Sequence, residues 1–180
     1  FGVMMIQFPS KGSNGERQFK QYEVATYRND VGGDGRRPDE VTFTDAKNDA
    51  DRRDLTMNAL YYDIPETKDQ EGVITDYHGG QGFDDIKNGV ARPIGDPKQR
   101  FTEDNLRVMR LIRFFCRYND GGPEVIENTD PATANAIRAF AEMPHVSSER
   151  IAAEFLSGLK SSVNPVNYLR ILSHFGIMKR

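Results

Sequence analysis

The sequence has little cysteine, no long apolar run and no excess of positive charge. Its one cysteine, Cys116, rules out a disulfide framework, and its place among apolar neighbours marks it as a buried structural thiol with no part in redox chemistry. No stretch approaches the eighteen or so consecutive apolar residues of a membrane span. The opening FGVMMIQF has neither the basic segment nor the length of a secretion signal, so the cytoplasm is the expected compartment. Net charge is −3, so contact with nucleic acid has to come from a local patch. The glycines of DYHGGQGFDD, Asp76 to Asp85, are wrongly spaced for a P-loop or a dinucleotide fingerprint and read as a turn. The chain begins without Met on a strand-like run and reads as a piece of a longer polypeptide.

What is present suits an α+β protein. With 180 residues, 37% apolar and 28% charged, the chain can bury one medium core or two small ones. Alternation predicts strands over Phe1 to Phe8 and Tyr22 to Arg28, joined by a polar turn at Ser10 to Glu16, with Glu23 as an acid within the second strand. Asn29 to Pro38, NDVGGDGRRP, is too rich in Gly and Asp for regular structure and is expected to be a mobile loop. A helix is predicted from about Asp49 to Tyr61. Within it Asp54 and Asn58 share one face, and Arg53 stands near the N-terminus, where backbone N–H groups attract an anion. Taken alone, Arg52, Arg53 and Asp54 better suit intrahelical ion pairs. Further strands are expected at Ala59 to Ile64, Val73 to Asp76 and Val90 to Ile94.

The dominant pattern is TEDNLRVMRLIRFFCR, Thr102 to Arg117. Thr102 suits an N-cap, with Glu103 and Asp104 in the first turn. Val108, Met109, Leu111, Ile112, Phe115 and Cys116 fall on one face. Arg107, Arg110, Arg113 and Arg117 fall on the opposite one, with Asp104 at its margin and Leu106 and Phe114 set among the guanidiniums. A solvated basic face is the ordinary meaning of such a stripe, but apolar side chains set among the guanidiniums are unusual for a merely soluble surface. Beyond it, helices are predicted at Asp130 to Met143, Ser147 to Ser161 and Pro165 to Phe175, so composition turns all-helical near residue 96. That divides the chain into 1–95 and 96–180.

Taken in order, RRDLTMNAL (Arg52 to Leu60), DYHGG (Asp76 to Gly80), GDPKQRFTEDNLRVMRLIRF (Gly95 to Phe114) and SSERI (Ser147 to Ile151) resemble the successive motifs of class II tRNA nucleotidyltransferases, the CCA-adding enzymes, and of bacterial poly(A) polymerases. YEVATYR and RRPDEVTF, at Tyr22 to Arg28 and Arg36 to Phe43, resemble that family's strand and loop. The resemblance implies a head related to the DNA polymerase beta superfamily over 1–95 and a helical neck over 96–180. It puts Arg53 on the triphosphate, Asp54 and Asn58 near the sugar, Asp104 and Arg107 on the base, and Arg110 and Arg113 at further nucleotide contacts, with Glu23 as a candidate catalytic acid. It implies CTP and ATP as substrates, the tRNA 3′ end as acceptor, and Mg2+. The family's metal-binding Asp-x-Asp is expected before this chain's first residue, and the family's C-terminal body and tail beyond its last. Cytosine and adenine both pair an exocyclic amine with a ring acceptor, which a carboxylate and an arginine match. CCA addition, poly(A) addition and a non-catalytic nucleotide-binding module all remain open at this point.

Overall fold

The computed structural model describes residues 3–31 and 40–179. Three two-stranded antiparallel sheets come from the first half: β1 (Val3–Lys11) with β2 (Arg17–Ala25), β3 (Arg28–Val31) with β4 (Glu40–Phe43), and β5 (Leu60–Asp63) with β6 (Val73–Asp76). Between them lie α1 (Ala46–Asp51) and a 3-10 turn at Thr56–Asn58. From α2 (Gln81–Asn88) onward the described elements are helical: α3 (Pro97–Glu103), α4 (Arg107–Tyr118), α5 (Pro123–Thr129), α6 (Pro131–Ala139), α7 (Ser148–Ser161) and α8 (Pro165–His174). This is the expected α+β class.

The core is built on α4. Its apolar face is buried as the periodicity requires, against Phe101, Ile126, Ile137, Met143, Tyr168, Ile171, Leu172 and Phe175. Each fully buried side chain of this size contributes roughly 1.5 to 3 kcal/mol. Cys116 belongs to this core, and burial pushes its thiol up to about 12. A second cluster joins Ala50, Ala59 and Ile94 to Tyr61 and Tyr77. The β1–β2 ribbon, by contrast, leaves Met4, Phe8, Tyr22 and Val24 exposed.

Local structure departs from the sequence pattern where tertiary pairing competes with it. The helix expected from Asp49 to Tyr61 ends at Asp51, because the backbone of 54–56 is taken up by 92–94: Thr56 N–H donates to the Arg92 carbonyl at 3.0 Å, Ile94 N–H to that of Asp54 at 3.3 Å, and Leu55 bridges Pro93. That lone bridge is also what becomes of the strand expected at Val90 to Ile94. The helix expected from Thr102 to Arg117 is two helices. The first starts earlier, with Asp96 accepting from Gln99 N–H at 2.8 Å and Pro97 in the first turn, both strong start signals. Thr102 caps nothing; its hydroxyl donates back to the Lys98 carbonyl. The break falls at Asp104, which is extended at φ −149°, ψ 108°.

Gly79 and Gly80 take φ values of 68° and 90°, and α2 then occupies Gln81 to Asn88, where the turn reading had stopped at backbone geometry. Pro123 opens a helix, α5, absent from the sequence reading. Of the loop expected over Asn29 to Pro38, residues 29–31 pair as strand β3, and 32–38 lie outside the described residues.

Candidate functional site

A cleft of about 540 Å³ opens between the 52–58 turn and the start of α4, lined by Arg52, Arg53, Asp54, Asn58, Asp104, Leu106, Arg107, Arg110 and Arg150. Its volume is within the usual range of small-molecule sites. Six predicted residues meet here: Arg53, Asp54, Asn58, Asp104, Arg107 and Arg110. Arg113 and Glu23 do not. Arg113 lies against Phe114, 4.3 Å from the ring centre, and donates to Glu154 at 2.5 Å. Glu23 stands exposed on the β1–β2 ribbon, opposite Met5, and lines no part of the cleft.

The floor is set by Asp54. Its Oδ2 accepts from Arg110 Nη2 at 2.6 Å and Nε at 3.0 Å, and its Oδ1 accepts from Leu55 N–H at 2.9 Å and Asn58 Nδ2 at 3.3 Å. Burial alone would raise the carboxyl's pKa. The facing Arg110 charge and these hydrogen bonds outweigh it and hold the group below the usual carboxylate range. Asp54 and Asn58 thus come together through a tight turn, not along a helix.

Beside them Arg53 is locked by a buried acid that the sequence reading assigned only to a helix start. Asp49 is 2% exposed. Its Oδ2 accepts from the Tyr61 hydroxyl at 2.6 Å and Arg53 Nη2 at 3.2 Å, and its Oδ1 from Arg52 Nη2 at 2.5 Å and the Arg28 backbone N–H at 3.3 Å. Burial opposes the charge on Asp49, but hydrogen bonds from Tyr61, Arg52 and Arg28 leave its pKa lowered. The Tyr61 hydroxyl is pushed up to about 12, first by burial and then by Asp49. Arg53 also sits 5.0 Å from the Tyr61 ring centre and donates to the Asn58 carbonyl at 3.1 Å.

The opposite wall carries the second group. In the break between α3 and α4, Asp104 Oδ1 accepts from Leu106 N–H at 3.0 Å, and Oδ2 accepts from Arg150 Nη2 at 2.8 Å. Arg107 pairs with Glu103 and donates to the Arg100 carbonyl at 3.1 Å. Asp104 and Arg107 therefore share the cleft while each holds another partner. Arg52 and, on this wall, Arg150 are the cleft arginines that the sequence left unassigned. The available signal was an arginine in the first turn of α7, where the helix dipole disfavours a cation unless an acid faces it.

Among the described residues, no group of three or more His, Cys, Asp or Glu side chains could hold a metal ion. The cleft acids are taken by arginines. What the arrangement offers is several guanidiniums for phosphate oxygens, a carboxylate and an amide at hydroxyl spacing, and an Asp and Arg pair for a planar polar ring.

Known proteins share both the sequence and the fold of this chain. A family model described as the poly A polymerase head domain matches residues 9–92. The chain is 39% identical over 140 residues to the CCA-adding enzyme of Lactobacillus helveticus, covering 76% of this chain and 31% of that one. It is 36% identical over 151 residues to the mitochondrial CCA tRNA nucleotidyltransferase 1 of Homo sapiens, covering 83% and 32%. The crystal structure of the Bacillus stearothermophilus CCA-adding enzyme in complex with CTP superposes with a TM-score of 0.66 at 31% identity, over 88% of this chain and 34% of that one. An apo form of a CCA-adding enzyme, at 21% identity and the same TM-score, shows likeness of fold. The chain spans about a third of the length of the curated relatives it matches.

Proposed function

Because the chain belongs to the family of class II tRNA nucleotidyltransferases, or CCA-adding enzymes, and bacterial poly(A) polymerases, we propose that the protein transfers CMP and AMP from CTP and ATP to the 3′ end of tRNA in the cytoplasm. Residues 1–95 serve as the head and 96–180 as the neck, and the nucleotide lies in the cleft between them. The observation that carries this reading is the convergence of Arg53, Asp54, Asn58, Asp104, Arg107 and Arg110 on one cavity, although they come from stretches about fifty residues apart.

In the reaction the terminal RNA oxygen attacks the α-phosphate in line, a new P–O bond forms and pyrophosphate leaves. Arg53 attracts the triphosphate, and its charge is secure because burial is outweighed by Tyr61 and Asp49. Asp54, fixed by Arg110, and Asn58 meet the ribose hydroxyls. Asp104 accepts the exocyclic amine of cytosine or adenine and Arg107 donates to the ring acceptor. Uracil and guanine present a carbonyl where that amine would be, so the carboxylate repels them. Arg150 on one oxygen keeps the Asp104 carboxylate oriented while lone pairs stay available. Arg113 supports α4 through Glu154. The Mg2+ that this chemistry uses finds no ligand set among the described residues.

The test is incubation of the purified full-length protein with tRNA lacking its 3′ CCA and each nucleotide in turn. CMP incorporation followed by AMP is expected. A second reading has support in the poly A polymerase description of the matching model. Repeated AMP addition with no need for prior CMP would establish that reading in place of CCA addition. Nucleotide binding without incorporation would point to a non-catalytic module.

A further inference from the structure

The Arg100 side chain, like that of Arg110, joins the two walls of the cleft. Its Nη2 donates at 2.6 Å to both the Arg52 and the Arg53 carbonyls, 48 and 47 residues away in sequence. Its Nη1 donates to Glu103 at 2.7 Å. The side chain is only 12% exposed.

The physical need is visible in α1. The last carbonyls of a helix lack intrahelical donors, and the negative end of its dipole favours a cation. α1 has no basic residue in its last turn, and its C-cap is Arg52. A guanidinium from α3 meets the carbonyls of that C-cap and of the next residue. It does so against opposing forces, since burial and the nearby Arg107 both lower its pKa. Glu103 answers both arginines, because the same carboxylate oxygen faces Arg100 and Arg107.

We propose that Arg100 is a positioning residue for the phosphate end of the site: by holding the Arg52 and Arg53 carbonyls it sets where the Arg53 guanidinium stands relative to Asp104 and Arg107. Without it, two carbonyls lose a shared charged donor, the turn that carries Arg53 relaxes, and the distance between the phosphate contact and the base contacts is no longer fixed. Small misplacements of this kind cost binding and rate steeply. The claim rests on the nucleotide reading of the cleft.

The experiment measures CTP and CMP binding by calorimetry in the full-length protein, its Arg100→Gln variant and its Arg100→Lys variant, with melting temperature beside each. In Arg100→Gln, CTP affinity is expected to fall about tenfold while CMP affinity stays within about threefold, because the displaced Arg53 guanidinium meets the further phosphates that CMP lacks. Lysine, whose ammonium also donates to two carbonyls, is expected to recover most of the loss. An unchanged ratio of CTP to CMP affinity in Arg100→Gln, or a proportional loss of both, would overturn the positioning role. Should the glutamine variant fail to fold, Arg100→Met reads the same ratio: a fall supports the role, and an unchanged ratio overturns it. A wild-type protein that binds neither ligand would overturn the nucleotide reading itself.

Discussion

Asp49 orders two arginines and a tyrosine around one buried carboxylate, so its loss reaches the cleft without any contact to a ligand. Removing one member of a buried charged group leaves the others unpaired, at a cost of about 3 to 5 kcal/mol when all are buried. Here Arg52 and Arg53 keep part of their surface in water, 28% and 40%, which lowers the expectation for Asp49→Ala to about 2 kcal/mol, read by chemical denaturation. The pH dependence follows from the direction of the shift. A carboxyl whose folded pKa lies below its unfolded value of about 3.9 contributes stability above that pH and loses it as pH falls further. The variant's stability is therefore expected to fall less steeply than wild type below about pH 4; parallel curves would show that Asp49 does not govern that loss. Asp104 and Arg107 carry a different prediction. Replacing either by Ala is expected to reduce discrimination of CTP and ATP against UTP and GTP by about 1 to 3 kcal/mol, the worth of a bidentate base contact. Equal selectivity in competition assays would remove both from base reading.

Helix α7 reaches α4 through Arg113 and Glu154 and reaches α8 through a close approach at Gly158. A Cβ added at Gly158 would collide with the ring and hydroxyl of Tyr168, which is fully buried and has no room to turn away. Overpacking of this kind costs typically about 1 to 3 kcal/mol. Gly158→Ala is expected to lower the melting temperature, and the double variant with Tyr168→Leu to recover part of the loss; a stable single variant would mean that α8 shifts freely. The break between α3 and α4 is the other decisive element. An unbroken helix would leave Asp104 on the arginine stripe, whereas the extended residue places its carboxylate between the Leu106 N–H and Arg150.

Across the whole molecule, the sheet-bearing and helical halves are fastened by a buried network as well as by the cleft. Asp85, 2% exposed, accepts from Thr56 Oγ1 at 2.6 Å and from Arg92, and Arg92 Nη1 reaches Asp130 at 3.3 Å. Arg92→Leu leaves Asp85 short of its charge partner and is expected to destabilise the protein by about 2 kcal/mol or more, after discount for the 30% exposure of Arg92. Its thermal unfolding would show this directly. On the proposed function the cleft attracts its ligand largely through guanidiniums, so CTP affinity is expected to fall as salt rises from about 0.05 to about 0.5 M. A salt-independent titration would contradict charge as the source of binding.

The class of fold and the core face of α4 could be read from periodicity, a local property of a chain, whereas most of the cleft residues were legible only through the resemblance of the ordered motifs to a known family. Asp49, Arg100 and Arg150 could not. Each acts on residues brought near only by folding, and a charge in a sequence does not say which charge it will face. The same holds for the helix that stops at Asp51: its spacing suits a longer helix, but pairing of 54–56 with 92–94 claims the backbone that would continue it. The sequence with its resemblance thus named six of the cleft's side chains, Arg53, Asp54, Asn58, Asp104, Arg107 and Arg110, and named Arg113 and Glu23, which the fold carries elsewhere. The tertiary structure decided their partners, since ion pairs and backbone hydrogen bonds form between whatever groups the packed core of α4 leaves within about 3 Å of one another.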